Sequence, residues 1–74
     1  MTRTTSLADL TSLLNELSAD GNLTDSDFAR LATACDVDAD ESARRSGPNT
    51  GHVIVLTDGS YARWTEVSGA WVGR

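Results

Sequence analysis

The stretch Gly51-His52-Val53-Ile54-Val55-Leu56-Thr57-Asp58-Gly59-Ser60-Tyr61-Ala62-Arg63-Trp64-Thr65-Glu66-Val67-Ser68-Gly69-Ala70-Trp71-Val72-Gly73-Arg74 holds three short runs rich in Val, Ile, Tyr and Trp. Asp58-Gly59 and Ser68-Gly69 break them, and such pairs supply the positive φ angles that tight two-residue turns require. The stretch therefore predicts a three-stranded antiparallel meander over 52–73. Counting outward from two-residue turns sets Leu56 against Tyr61, Val55 against Ala62, Ile54 against Arg63 and Val53 against Trp64. The second turn sets Val67 against Ala70, Glu66 against Trp71 and Thr65 against Val72. Alternation then gathers Ile54, Leu56, Tyr61, Val67, Ala70 and Val72 on one face, with His52, Arg63 and Thr65 among them. Val53, Val55, Ala62, Trp64 and Trp71 gather on the other. Both faces are largely apolar, whereas an antiparallel sheet normally keeps one face wet, so the second face calls for a cover.

Cover for one face lies upstream. Leu7, Leu10, Leu13, Leu14 and Leu17 recur at helical spacing and predict a helix over about 6–19 with one buried stripe. Ser6 and Asp9 suggest a capping box, although Asp reaches back less well than Glu. Gly21 is a natural stop. Thr24 with Asp27 opens a second helix over about 24–36, carrying Phe28, Leu31, Ala32 and Cys35 on one side. The segment 38–51 is polar. Asp38 and Glu41 cap at most a short third helix through Arg45, whose only apolar residues, Ala39 and Ala43, are too few to hold it in place. The expected architecture is α+β: two N-terminal helices, with a marginal third, packed on a C-terminal meander.

At 74 residues the chain reads as a single domain with a small core, and such domains are only marginally stable alone. Association with a partner or with a second copy then contributes noticeably, and an uncovered Trp face is the natural place for it. The opposite reading buries both tryptophans under the leucine stripes.

One cysteine excludes an internal disulfide framework and a Cys-rich zinc site. Cys35 sits on the apolar side of its helix, where a small core residue is expected. A nucleophile with its base, paired carboxylates and a glycine-rich phosphate loop are not found, so no enzyme and no cofactor are expected. The leading leucines, interrupted by Asp9 and Glu16, do not read as a signal peptide, and no apolar run is long enough to span a bilayer. A cytoplasmic protein, of cell or virus, is the simplest expectation.

The formal net charge is −5, and it is concentrated. Glu16, Asp20, Asp25, Asp27, Asp36, Asp38, Asp40 and Glu41 face a single Arg30 in that part of the chain, while the meander is close to neutral. Such a field repels phosphates and attracts basic surfaces. The absence of lysine points to a GC-rich genome, actinobacterial or haloarchaeal, and in a halophile the acidity also serves solubility. The partner-binding candidates are thus Trp64, Trp71, Val53 and Val55 on the sheet, and Asp36, Asp38, Asp40 and Glu41 on the acidic surface.

Three motifs carry resemblances. Leu23-Thr24, Phe28-Ala29-Arg30-Leu31-Ala32 and Val37, followed by a hairpin, resemble winged-helix DNA-binding domains in element order. On that alignment Ser42 and Arg45 fall where the recognition helix needs core residues, and Asp38, Asp40 and Glu41 would face the DNA beside Arg44 and Arg45. Asp20-Gly21-Asn22-Leu23-Thr24 with Asp27 resembles part of an EF-hand loop, but Glu16 and Ser18 take its first and third positions, and Asp27 takes the place of the closing Glu. Calcium is therefore not expected. Pro48 and Gly51 with the strands and their Asp58-Gly59 and Gly69-Ala70-Trp71-Val72 elements resemble a strand pattern at the ends of small actinobacterial and actinobacteriophage proteins. That resemblance implies a folded β-unit and no particular activity.

The expected function is a small non-catalytic protein-binding module, in concrete form a phage or host regulator that occupies a basic, nucleic-acid-binding surface of its target. The alternative is a winged-helix transcription regulator.

Overall fold

A computed structural model describes residues 3–48 and 51–74, so Asn49 and Thr50 of the expected linker lie outside the described residues. The elements are α1 (Leu7–Leu17), α2 (Asp25–Ala34), α3 (Ala39–Arg45), β1 (Val53–Val55), β2 (Tyr61–Thr65) and β3 (Ala70–Gly73), the strands forming one antiparallel sheet in the order β1-β2-β3. The α+β class and the meander are as the sequence predicts, and the third helix is fully formed.

Each helix start has a polar cap. The Ser6 hydroxyl accepts the Asp9 amide at 3.4 Å, while the Asp9 carboxylate accepts the Thr4 hydroxyl at 3.1 Å instead of returning to Ser6. At α2 the box closes both ways, with Thr24 N–H donating to Asp27 at 3.0 Å and Asp27 N–H donating to Thr24 at 3.2 Å. Asp38 caps α3 by accepting the Glu41 amide at 3.1 Å. These contacts satisfy amide groups that the first helical turn leaves without partners.

The two hairpin loops are longer than two residues, and this sets the register. Leu56 N–H donates to Ser60 at 2.8 Å and Gly59 N–H donates to Leu56 at 3.0 Å, which closes the loop Thr57-Asp58-Gly59 with Gly59 at φ 93°. That geometry is a turn followed by a left-handed glycine bulge. The pairing is therefore Val53↔Arg63, Ile54↔Ala62 and Val55↔Tyr61, one residue from the expected register. In the second hairpin Gly69, at φ 63°, donates to Thr65 at 2.8 Å, and Trp64↔Trp71 and Thr65↔Ala70 pair across the loop Glu66–Gly69. This register differs from the expected one by two.

A one-residue slip exchanges the faces of a strand and a two-residue slip does not. Ile54 and Leu56 thus share a face with Ala62, Trp64 and Trp71, and Val53 and Val55 share the other with Tyr61 and Arg63. The first face receives α1, which lies on β2 and β3, and α2 packs against α1. Leu10, Leu14, Leu31, Cys35, Ile54, Leu56, Ala62 and Trp71 form the buried core. Trp71 is anchored by its indole N–H, which donates to the Ser18 carbonyl at 2.8 Å.

Both sheet edges are occupied. On β1 the Val55 amide donates to the Ser42 hydroxyl at 2.8 Å, the Val53 amide donates to the Ser46 hydroxyl at 2.9 Å, and the Val55 carbonyl accepts the Asp38 amide at 2.7 Å. Thr57 N–H continues the edge by donating to Asp36 at 3.0 Å. On β3 the Asn15 side chain accepts the Trp71 amide at 2.8 Å and donates to the Trp71 carbonyl at 3.4 Å. Serines one helical turn apart thus hold α3 along β1, and the helix needs few apolar contacts of its own. The N-terminal segment joins through Thr4, whose amide donates to Ala34 and whose carbonyl accepts Asp36 N–H at 2.9 Å.

Candidate binding cleft between the second and third helices

The expected exposed patch of Trp64, Trp71, Val53 and Val55 is not formed. Trp71 retains 3% of its exposure, Val53 7% and Val55 2%. The register places Trp71 under α1, and α3 lies over the valines. Trp64 is half-buried against Gly21, where a Cβ would stand 2.6 Å from the indole. Its indole N–H is buried with no acceptor. The second face is therefore covered over β1 and open over β2 and β3.

The four acidic candidates have distinct places. The Asp36 carboxylate accepts the Thr57 hydroxyl at 3.0 Å, and Asp38 caps α3. Glu41 pairs with Arg45 at 2.9 Å and with Arg44 at 3.7 Å. Asp40 is exposed on the first turn of α3 and makes no ion pair among the described residues. Local structure uses three of the four.

What the fold builds instead is a cleft of about 570 Å³ between α2 and α3. Phe28, Ala29 and Ala32 line it from α2, and Ala39, Ser42, Ala43 and Ser46 line it from α3, with Val37 and His52 completing it. The His52 ring meets Phe28 edge-on, with centroids 5.6 Å apart. On α2 these positions follow i, i+1, i+4, and on α3 i, i+3, i+4, i+7, so each helix presents one continuous stripe. Asp25 precedes Phe28 by three residues and Ala29 by four, which extends the α2 stripe with a carboxylate. Asp25 and Asp40 are both exposed.

Alanines explain why the cleft exists. α3 is tied to β1 by serine hydroxyls and α2 is tied to α1 by Leu31, and methyl side chains are too short to span the gap between them. From sequence, Ala39 and Ala43 are too few to hold α3, and Phe28 and Ala32 fall on the same side of the second helix as Leu31 and Cys35. Their helical spacing was legible, but their shared opening depended on where α3 docks. The same docking separates this arrangement from the helix-turn-helix alignment, because Ser42 turns towards β1 and α3 packs on that strand in preference to α2.

The loop with EF-hand-like spacing is closed by its own groups. Asp20 accepts the Ser18 hydroxyl at 3.0 Å and the Asn22 amide at 3.1 Å, and the Ser18 hydroxyl also bonds the Asn22 carbonyl. Those bonds, the Asn22 amide first, hold the Asp20 carboxyl below its ordinary value of 3.8. No group of three acidic, His or Cys side chains placed to hold a metal occurs among the described residues. Cys35 is buried, and burial first and the Asp9 charge second push its thiol upward. Among the described residues no helix is long and apolar enough to cross a membrane.

Comparison with known proteins adds no relative: no family model, curated protein or solved structure matches the chain.

Proposed function

We propose that the protein is a non-catalytic binding module whose cleft between α2 and α3 takes a basic, apolar-faced helical segment of another protein. The observation that carries this reading is the cleft itself, an apolar opening of about 570 Å³ within an acidic helical half. Its size falls in the roughly 300–1,000 Å³ range of binding pockets. Two facing helical stripes suit a partner helix that inserts side chains at i, i+3 and i+4. Asp25 and Asp40 beside those stripes favour a positively charged rim on the partner, and the net charge of −5 steers such a segment inward. Strand addition is disfavoured, because Asn15 occupies the outer edge of β3 and Ser42 and Ser46 that of β1. A regulator that masks a basic, nucleic-acid-binding surface of its target is one biological form of this activity.

The test uses a synthetic amphipathic peptide bearing Leu and Trp on one face and Arg on the other, titrated into isotopically labelled protein. Shifts should concentrate on Ala29, Ala32, Ala39, Ala43 and the Phe28 ring, and affinity should fall with added salt. Ala43→Arg, which fills the cleft with a long charged chain, should weaken binding by about tenfold or more, equivalent to about 1.4 kcal/mol. Shifts confined to other surfaces, or unchanged affinity in Ala43→Arg, would remove the reading.

A further inference from the structure

We propose that the open sheet face of one copy docks on the acidic cleft face of a second copy, head to tail. The inference rests on the cleft read above and adds an occupant carried by the chain itself.

The strands contain Arg63 and no acidic residue. Tyr61 and Arg74 exchange backbone bonds of 3.0 and 2.8 Å, and Arg63 pairs with Val72. Arg63 and Arg74 are therefore diagonal neighbours on one face, an arrangement in which like charges repel. Both are exposed, and neither has an ion pair among the described residues. Val72, 38% exposed, stands beside them. Glu66 lines the same surface as Arg63, Val72 and Arg74, so a partly apolar face with two arginines to one carboxylate is left where α3 stops covering the sheet.

The complementary surface is on the same molecule. Asp25, one helical turn before Phe28 and Ala29, and Asp40, next in sequence to Ala39, are exposed and have no ion pair among the described residues, and Phe28, Ala29 and Ala39 line the apolar opening. The net charge of −5 disfavours a polyanion such as nucleic acid at long range, whereas contact between a cationic and an anionic face of two copies is short-ranged. The two faces differ, so the contact is heterologous and does not close into a two-fold dimer. Salt acts in opposite senses. At low ionic strength the like net charges repel, and at high ionic strength the local pairs are screened, so association should peak near about 0.1–0.2 M salt.

Sedimentation of the full chain from about 10 µM to about 1 mM, the range in which small interfaces associate, gives the readout. The wild type should rise towards twice the monomer mass and beyond. Arg63→Gln with Arg74→Gln, and separately Asp25→Asn with Asp40→Asn, should each stay monomeric while keeping the wild-type circular dichroism. Mixed one to one, the two variants should form a heterodimer and no larger species, since each retains one of the two faces. A wild type monomeric throughout, variants that associate like the wild type, or a mixture that stays monomeric would each overturn the proposal. So would a monomeric wild type that binds a single-stranded oligonucleotide through Arg63 and Arg74. The Arg63→Gln, Arg74→Gln variant keeps its cleft intact. Peptide binding by that variant alongside a monomeric wild type would sink self-association alone, and self-association without peptide binding would sink the basic-partner reading alone.

Discussion

Trp64 and Trp71 stand opposite each other across β2 and β3, yet their indole N–H groups have different fates. That of Trp71 donates to the Ser18 carbonyl at 2.8 Å, and that of Trp64 is buried without an acceptor. A buried donor without a partner costs about 1–3 kcal/mol, whereas a satisfied bond contributes about 0.5–1.5 kcal/mol. Trp64→Phe, which removes the orphaned group and some area, should change stability by less than about 1 kcal/mol. Trp71→Phe should destabilise by about 2 kcal/mol or more, because it also strands the Ser18 carbonyl and opens space in the core. Urea denaturation of the pair measures the difference, and equal losses would refute the assignment. Both residues were legible as apolar anchors. Their unequal bonding was not, because it depends on where the end of α1 lies relative to β3.

At the scale of elements, α1 and α2 were readable because leucine at helical spacing needs only a surface to pack on. α3 was underestimated, because Ser42 and Ser46 contribute through hydroxyls that become useful only beside a strand edge. Ser42→Ala should leave the Val55 amide buried and unpaired, at a cost of about 1–3 kcal/mol. Hydrogen exchange offers the sharper measurement. Protection of the Val55 amide should fall selectively, while Val53, held by the Ser46 hydroxyl, and Ile54, bonded across to β2, keep most of their own. The hairpins teach the same lesson about turns. Asp58-Gly59 correctly announced a reversal, but the pair suits a two-residue turn and a three-residue loop with a glycine bulge equally well. One extra residue exchanged the faces of β1 and moved Val53 and Val55 from the tryptophan side to the side covered by α3.

Across the whole molecule, acid should weaken the fold through particular turns. Hydrogen bonding with Asn22 and Ser18 holds the Asp20 carboxyl below its ordinary value, and bonding with Ser60 does the same for Asp58. A carboxyl lowered in the folded state contributes stability that is fully present above its unfolded value near 3.8 and is lost as pH falls through its folded value. Asp20→Asn with Asp58→Asn should therefore flatten the fall in stability between about pH 5 and about pH 2 relative to the wild type. Thermal melts across that window provide the measurement, and parallel slopes would show the two turns to be irrelevant. The sequence by itself determined the class, the order of elements and the concentration of negative charge in the helical half, because periodicity, capping and composition are local properties. Only the tertiary structure decided which sheet face is buried, how α3 is held and that two alanine stripes border a cleft, because each of these depends on register and docking between residues distant along the chain.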